Sequence, residues 1–225
     1  MQAYLPVLKK SQLFSGVSDG EIVSMLSCLG ARMKTFEKGD VIFHEGEYVS
    51  DILVMLKGEA YIQSIDFWGN RTILNHVTEG EMFLEAYCAP DAGALKSDVV
   101  AAQKCAIAFF DVRRVITTCS AACRFHAMVV QNLVFALSGK NRKLVAKLMH
   151  MSGRTTRAKL ISYLSEEAKK HACGEFTIPF NRQQLADYLS VDRSAMSLEL
   201  CKMRDLGMLE FEKNRFTLYQ DIENQ

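Results

Sequence analysis

The chain has 225 residues and a mass of 25.3 kDa, which is long for one hydrophobic core and suits two smaller domains. No stretch approaches the ~20 uncharged apolar residues of a membrane span, so we expect no membrane partner. Residues 1–6 lack the start of a secretory signal, and seven scattered cysteines do not form the paired framework of a small secreted scaffold. We therefore expect reduced thiols and a cytoplasmic location.

The formal net charge of +1 conceals an uneven distribution. Residues 1–138 carry 12 basic and 15 acidic side chains, whereas residues 139–225 carry 15 and 11. Because a polyanion is attracted to the more cationic part, we expect any contact with nucleic acid in the second half. The sequence has no Walker loop, nucleophile elbow, metalloprotease helix or dinucleotide fingerprint, so we do not expect an enzyme.

The N-terminal half changes pattern at Lys34. Residues 7–32 predict short helices, and from Lys34 short β segments alternate with glycine turns, which is typical of an antiparallel barrel or sandwich. The predicted strands are 41–43, 52–56, 60–62, 72–74, 99–101 and 106–110.

After Asp111 the pattern becomes helical, and one face repeats at intervals of four and three residues. This spacing is typical of the seam of a two-stranded coiled coil, and a heptad asparagine such as Asn141 commonly fixes its register. We therefore predict a homodimer held by this helix, the alternative being that the stripe packs on its own domain. The seam comprises Val130, Val134, Leu137, Asn141, Leu144, Leu148 and Met151.

The C-terminal region predicts a helix over residues 155–171 and then two helices joined by a short turn. Asn181 and Gln184 form a variant of the capping box for the helix that ends at Leu189. Asp192 can cap the following helix, which Gly207 ends. Residues 209–212 and 215–219 then predict a β-hairpin. Helix, turn and helix is the geometry that places a second helix in a DNA major groove.

The run from Gln184 to Ser197, followed by residues 202–207, resembles the DNA-binding signature of Crp/Fnr-type regulators. The glycine turns at residues 38–40, 45–47, 57–59 and 80–83 are similar to the cyclic-nucleotide-binding-like β-roll of that family. The resemblance implies an α+β fold with an antiparallel β-roll or jelly-roll sensor at 1–112, a dimerisation helix at 113–152 and a winged helix-turn-helix at 153–225. It also implies binding to near-palindromic double-stranded DNA, and contact with RNA polymerase if the regulator is an activator.

The resemblance further implies that Arg193, Ser194, Ser197 and Leu198 lie where the family reads bases. The family often has Glu at position 194 and Arg at position 198. Leu198 can touch only an apolar edge such as a thymine methyl, so we expect the operator to differ from the family's usual half-site. Arg182 and Gln183 lie where the family grips phosphates. The candidate DNA-binding residues are Arg182, Gln183, Arg193, Ser194, Ser197, Leu198, Lys202, Lys213 and Arg215.

Cyclic-nucleotide binders of this fold hold the phosphate with a Gly-Glu pair and an Arg-Ser/Thr pair. Leu84 stands where the family usually has a second glycine, and Lys96 is the only basic residue near the expected arginine. We therefore expect that cyclic AMP does not bind. Two alternatives stay open: a small apolar or aromatic acid binds, with Arg142 meeting its carboxylate, or side chains fill the pocket and no ligand binds. The candidate pocket residues are Gly80, Glu81, Met82, Phe83, Leu84, Tyr87, Cys88, Asn141 and Arg142.

Two other functions compete with this interpretation. Cys119, Cys123 and His126 are spaced i, i+4 and i+7, so on a helix they share one face and could ligate a metal, although buried free cysteines are also ordinary core residues. Metal or redox sensing is the first alternative. The second is a regulatory module that binds a ligand or partner without DNA, which the outward face between Arg193 and Lys202 argues against.

Overall fold

The structure is a computed structural model that describes residues 1–69, 71–89, 91–117, 124–171 and 174–219. The chain divides into two compact units, Met1–Gly139 and Lys140–Gln225, and each has its own hydrophobic core. The division falls within one long helix, α4 (Arg124–Met151). The domain boundaries that we expect near residues 112 and 152 stay predictions.

The first unit begins with short helices, as the sequence predicts. They are α1 (Leu5–Lys10) and α2 (Asp19–Cys28), with single 3-10 turns at Gln2–Tyr4 and Gln12–Phe14. Ser18 and Glu21 form a capping box at the start of α2, in which the Glu21 carboxylate accepts from the Ser18 backbone N–H at 2.8 Å. The helical region is shorter than expected, because a strand already begins at Arg32.

Two four-stranded antiparallel sheets make up the rest of this unit. One has the order β1-β8-β3-β6 and the other β2-β7-β4-β5, so strands distant in sequence are neighbours. Side chains from both sheets enter one core, which is the arrangement of a β-roll. The strands are β1 (Arg32–Phe36), β2 (Val41–Phe43), β3 (Asp51–Lys57), β4 (Ala60–Ile65), β5 (Arg71–Val77), β6 (Met82–Phe83), β7 (Asp98–Ala101) and β8 (Cys105–Asp111).

Helices close this core on one side. Asp111 caps the short helix α3 (Val112–Ile116) by accepting from the backbone N–H of Arg113 at 2.9 Å. The first half of α4 then contributes Val129, Leu133 and Ala136 to the core. Asn132 on the same helix donates from its amide to the carbonyl oxygens of Leu13 and Ser15, 3.1 and 2.8 Å away. The beginning of α4 is thereby fastened to the N-terminal turns.

The hairpin between β4 and β5 carries an exposed aromatic pair at its tip. The ring centroids of Phe67 and Trp68 are 5.9 Å apart in an edge-to-face arrangement. Trp68, the single tryptophan of the chain, is 81% exposed. The backbone turns here through Gly69, whose φ of +83° lies in the left-handed region.

The second unit combines three helices with a small antiparallel sheet of order β10-β11-β9. Its elements are α5 (Thr156–Lys170), β9 (Glu175–Thr177), α6 (Arg182–Leu189), α7 (Arg193–Asp205), β10 (Leu209–Glu212) and β11 (Arg215–Leu218). The three helices and the β10–β11 hairpin agree with the sequence prediction, whereas the strand β9 was not predicted. Among the described residues, no helix is both long enough and apolar enough to span a membrane.

Candidate nucleic-acid interface

The helix α6 begins and ends at local signals in the sequence. The Asn181 side chain accepts from the Gln184 backbone N–H, and the Gln184 side chain accepts from the Asn181 N–H, both at 2.9 Å. This confirms the predicted capping box, a feature worth about 1 kcal/mol. Ser190 ends the helix in the left-handed region at φ 49°. Leu185, Ala186 and Leu189 are buried, so α6 packs its apolar face in the core.

The next helix, α7, presents two different faces. Asp192 caps it by accepting from the Ala195 backbone N–H at 2.8 Å, and Gly207 reverses the chain beyond its end with a φ of +72°. Met196, Leu200 and Met203 are buried on the inner face, as predicted. The outer face is therefore left for a partner.

On that outer face, Arg193, Ser194 and Lys202 are exposed. Ser197 is half-buried, and its hydroxyl donates to the Arg193 carbonyl oxygen at 2.9 Å, a local bond that leaves the hydroxyl free to accept. Leu198 is 59% exposed among these polar neighbours. Within the described part of the chain, no carboxylate pairs with the side chain of Arg193 or Lys202. The candidate base-reading residues therefore lie on one face of α7 that is largely accessible.

Two contacts that the sequence does not reveal hold α7 and α6 against α5. The Arg157 guanidinium on α5 lies 2.5 Å from a carboxylate oxygen of Glu199 on the inner side of α7. The Lys159 ammonium donates to the carbonyl oxygens of Leu189 and Ser190, 3.1 and 3.3 Å away, at the end of α6. A cation at the C-terminus of a helix also opposes the negative end of the helix dipole. Lys159 thereby fixes the end of α6 at the turn, and Arg157 fixes the middle of α7.

The β10–β11 hairpin forms the predicted wing, with Leu209 opposite Leu218 and a turn at Lys213, whose φ is 53°. Arg182, a candidate phosphate ligand, and Arg215, another candidate DNA-binding residue, are already engaged. The Arg182 guanidinium lies 4.6 Å from the ring centroid of Phe211 and 5.1 Å from that of Phe216, and burial lowers its pKa. Arg215 pairs with Glu175. Gln183 is exposed and donates to the Asp187 carboxylate at 2.8 Å.

The candidate effector pocket in the first unit is built differently. Met82, Phe83, Leu84 and Cys88 are buried members of the hydrophobic core, and Tyr87 packs against it. Leu84 adopts a φ of 60°, the left-handed conformation that disfavours any residue other than glycine. The chain has thus kept the backbone of a glycine turn and directed a leucine side chain into the core.

The remaining residues of this region make turns. The Gly80 N–H donates to the Met55 carbonyl oxygen at 2.8 Å, and the Glu81 carboxylate accepts from the Thr78 N–H at 2.7 Å. Lys96 is exposed, and the neighbouring Asp98 carboxylate accepts from the Glu45 N–H at 2.8 Å. The side chain of Gln63, which sequence reasoning missed, is buried, and its amide oxygen has no hydrogen-bond partner among the residues that the structure describes. A β-bulge between Ile62 and Gln63 turns this side chain inward, and nothing in the sequence signals that bulge.

Cys88 is a structural thiol. Its Sγ lies 2.9 Å from the Asp51 carbonyl oxygen and 3.5 Å from the Leu84 carbonyl oxygen. Burial, followed by the charges of Glu85 and Asp51, raises the pKa of this thiol to about 12. Because the thiolate is the reactive and metal-binding form, Cys88 is inert at neutral pH.

The candidate metal ligands are only partly described. Cys119 and Cys123 lie outside the described residues. His126 is 2% exposed, and its Nε2 lies 2.7 and 2.9 Å from the carbonyl oxygens of Arg114 and Val115, so Nε2 carries the proton. Its Nδ1 is buried without a hydrogen-bond partner among the described residues. In this part of the chain, no three His, Cys, Asp or Glu side chains cluster as a metal site.

The candidate dimer seam is open to solvent. Leu144 and Leu148 are 61% and 67% exposed, and Val134 and Leu137 are exposed too. Val130 and Met151 are half-buried, while Asn141 and the candidate effector residue Arg142 are exposed. Most of the stripe on α4 is therefore left uncovered by the described residues of its own chain.

The fold and the interface together define a transcription regulator with a β-roll sensor domain and a winged helix-turn-helix. The family model for the cyclic nucleotide-binding domain matches residues 33–121, and the model for the Crp-like helix-turn-helix domain matches residues 158–223. The chain belongs to the Crp/Fnr family, as the resemblance implied, and it is a DNA-binding transcription regulator. Members of this family are not enzymes, and a module that works without DNA is excluded by the Crp-like domain.

Solved structures share this fold at low sequence identity. Catabolite activator protein from Thermus thermophilus is 20% identical, with 93% of this chain and 94% of that chain covered and a TM-score of 0.55. The c-di-GMP responsive global regulator CLP from Xanthomonas campestris is 14% identical, with 90% and 99% covered and a TM-score of 0.55. CprK in complex with OCPA is 15% identical, with 87% and 89% covered and a TM-score of 0.56. No curated protein matches the chain by sequence.

Proposed function

We propose that the protein acts in the cytoplasm as a homodimer on a near-palindromic operator, with α7 in the major groove. The observation that carries this proposal is the division of α7 into a buried apolar face and an exposed face on which Arg193 and Lys202 pair with no carboxylate of the described residues. A two-fold dimer presents two such helices about one turn of DNA, ~34 Å, apart. If the protein activates transcription, RNA polymerase is a second partner.

The unpaired and the engaged cations suggest different roles. Arg193 has a free guanidinium at the start of α7 and is suited to the paired acceptors of a guanine. Leu198 offers an apolar contact that suits a thymine methyl, and Ser194 and Ser197 offer hydroxyls on the same face. Gln183, Lys202 and Lys213 are suited to phosphates, which position the protein without specifying sequence. Arg182 and Arg215 act at the wing, where each already has a partner.

Selection from random DNA tests this assignment. We expect the wild-type protein to select a motif with two-fold symmetry. Arg193→Ala should weaken binding by ~1–3 kcal/mol and relax the preference at one base pair in each half-site. A motif without symmetry, or one that Arg193→Ala leaves unchanged, would contradict the placement of α7 in the groove.

The homodimer is supported by the exposed seam on α4. A carboxylate at Leu144 and Leu148 together would bury charge in a coiled-coil interface, so the double variant to Glu should be monomeric at micromolar concentration in light scattering. Met149 is equally exposed but lies off the seam, and Met149→Glu serves as the matched control. Dissociation of both variants, or of neither, would refute this seam.

We propose that cyclic AMP is not the effector. Leu84 occupies the core side of the turn where the family usually has glycine, and Lys96, the single basic residue near the expected arginine, is exposed and lies two residues before Asp98 in the sequence. The buried Gln63 amide oxygen, which lacks a partner, is a polar group that another small effector could use. Calorimetry should detect no binding of cyclic AMP, and a micromolar Kd would overturn this argument.

A metal- or redox-sensing function is the second candidate, and His126 favours it. Two backbone carbonyls fix the proton on Nε2, which leaves the buried Nδ1 lone pair available, as in a histidine ligand oriented by its other nitrogen. Titration with Co²⁺ should produce thiolate-to-cobalt absorbance that His126→Ala alters. Unchanged absorbance in the presence of Co²⁺ would eliminate this candidate.

A further inference from the structure

The last turns of α4 are fastened to the DNA-binding helices through one buried histidine. His150 is 3% exposed. Its Nδ1 lies 3.1 Å from the Ser162 hydroxyl and its Nε2 lies 3.1 Å from the Glu166 carboxylate, so both ring nitrogens contact α5. The ring also lies edge-on to Tyr163 at a centroid distance of 5.5 Å, and 6.1 Å from the ring of Tyr188 on α6. One side chain therefore joins three helices of the second unit.

The hydrogen bonds determine the orientation of this ring. Lys170, which lies 2.8 Å from the Glu166 carboxylate, lowers the pKa of that group, so the carboxylate is an acceptor at neutral pH. The Nε2–H of His150 then donates to Glu166, and Nδ1 is paired with the hydroxyl of Ser162. Because both nitrogens have partners, the imidazole cannot rotate without losing a buried bond.

Two further contacts make the same junction stiff. Lys147, one turn before His150, places its ammonium 5.5 Å from the ring centroid of Tyr188. Gly153, in the link between α4 and α5, approaches the next helix so closely that an added Cβ would lie 3.0 Å from both the Ala158 Cβ and the Lys159 backbone nitrogen. The chain has little room to bend there.

The same turns of α4 also carry the seam. Lys147 and His150 contact α6 and α5, whereas Leu144 and Leu148, on the adjoining strip of the same turns, are exposed. A partner that covers Leu144 and Leu148 would therefore be connected to α6 and α7 through the His150 junction.

We propose that His150 is a positioning residue that sets the angle between the dimer helix and the recognition helix, and thereby the spacing between the two half-sites that the dimer accepts. The inference rests on the proposed function, because it requires a dimer on a two-part operator. His150 touches neither DNA nor the partner in this scheme. It acts through the direction in which α4 leaves the DNA-binding helices.

The test uses the full-length protein and a set of operators that keep both half-sites and vary the spacer from two base pairs shorter to two longer. The wild-type protein should prefer one spacing by at least tenfold. His150→Phe keeps an aromatic ring but removes both hydrogen bonds, and it should reduce this preference to less than threefold. Affinity for an isolated half-site should stay within about twofold, which a merely destabilising change would not produce.

Matched variants complete the experiment. His150→Gln retains a donor and an acceptor and should recover part of the spacing preference, whereas Lys169→Gln, an exposed change on α5, should have no effect. If His150→Phe does not fold, Ser162→Ala removes the Nδ1 partner alone and should weaken the preference. A spacing preference that survives in the folded variants would overturn this inference alone. A wild-type protein that is monomeric, or that binds without two-part symmetry, would overturn the proposed function and this inference with it.

Discussion

The two units differ in whether their candidate functional residues are exposed or buried. In the second unit, α7 buries one apolar face, whereas the candidate base-reading residues Arg193, Ser194 and Leu198 are exposed on the other face. In the first unit, four of the candidate pocket residues lie in the core, and one of them, Leu84, fills a position that usually belongs to glycine. A binding surface must stay open to solvent, whereas a closed pocket can be filled at little cost in stability. The candidate DNA-binding surface therefore stays accessible, whereas much of the candidate effector pocket is filled by side chains.

The reactivity of Cys88 offers the largest measurable contrast. Its pKa of about 12, against an ordinary value of 9.0, lowers the thiolate fraction at pH 8 about 10³-fold. We expect iodoacetamide to modify the exposed Cys28 in the native protein and to leave Cys88 unmodified until unfolding, as measured by mass spectrometry of the individual peptides. Equal rates for the two cysteines would show that the core of the first unit is accessible to solvent, and would contradict the view that its candidate pocket residues are buried.

The independence of the two cores is tested by Phe216→Ala. Phe216 is fully buried in the second core, so the truncation should cost ~3–5 kcal/mol of unfolding free energy in that unit. Thermal unfolding followed by circular dichroism should show the lower stability of the second unit. Binding to DNA, measured separately, should be weaker. Cys88 should stay protected from alkylation at temperatures where the second unit has melted. Simultaneous exposure of Cys88 would mean that the two units unfold as one.

Leu198→Arg tests whether position 198 of α7 contacts a base. A guanidinium at this exposed position on α7 should favour guanine over the wild-type base by ~1–3 kcal/mol at one position of each half-site, as read from selected DNA. Leu206→Arg is the matched control, because it adds the same charge at the exposed end of the same helix. A shift of the motif with the control, or no shift with Leu198→Arg, would place Leu198 away from the bases.

Arg182→Lys should have the smallest effect. It retains the charge but removes the planar group that stacks on Phe211 and Phe216, an interaction worth ~0.5–1 kcal/mol at a partly exposed site. We expect binding to all DNA sequences to weaken two- to fivefold through a less ordered wing, with the salt dependence unchanged because the charge remains. Wild-type affinity in this variant would mean that stacking does not position the wing.

The sequence predicts best those features that depend on neighbouring residues. The capping box of Asn181 and Gln184, the cap at Asp192 and the stop at Gly207 are local hydrogen-bonding or backbone requirements, and all are present. Three strands were not predicted. β6 and β9 are two or three residues long and pair with Leu53–Val54 and with β11, whereas β1 pairs with β8 and is exposed along most of its length, so its sequence shows no buried alternation.

The candidate sites, too, are predictable from sequence only where they depend on residues close together in the chain. The recognition face follows from one helical period, so its exposed and buried residues are predictable from sequence alone. The stacking of Arg182 on the wing joins residues about thirty positions apart, and the bonds of His150 join separate helices. The resemblance locates Leu84 at the ligand position, but only the structure shows that its side chain enters the core in a left-handed turn. Such features depend on tertiary packing, which sequence patterns do not record.

The exposed tip of the β4–β5 hairpin determines what intrinsic fluorescence reports. Since Trp68 is the single tryptophan and is 81% exposed, its emission in the native protein is already that of a solvated indole. Denaturation therefore changes its emission maximum little, and an unfolding curve recorded from this emission would have too small an amplitude to follow either core. The same property makes Trp68 a sensitive optical reporter of any molecule that covers the hairpin, because burial of the indole shifts its emission to the blue against a background without other tryptophans.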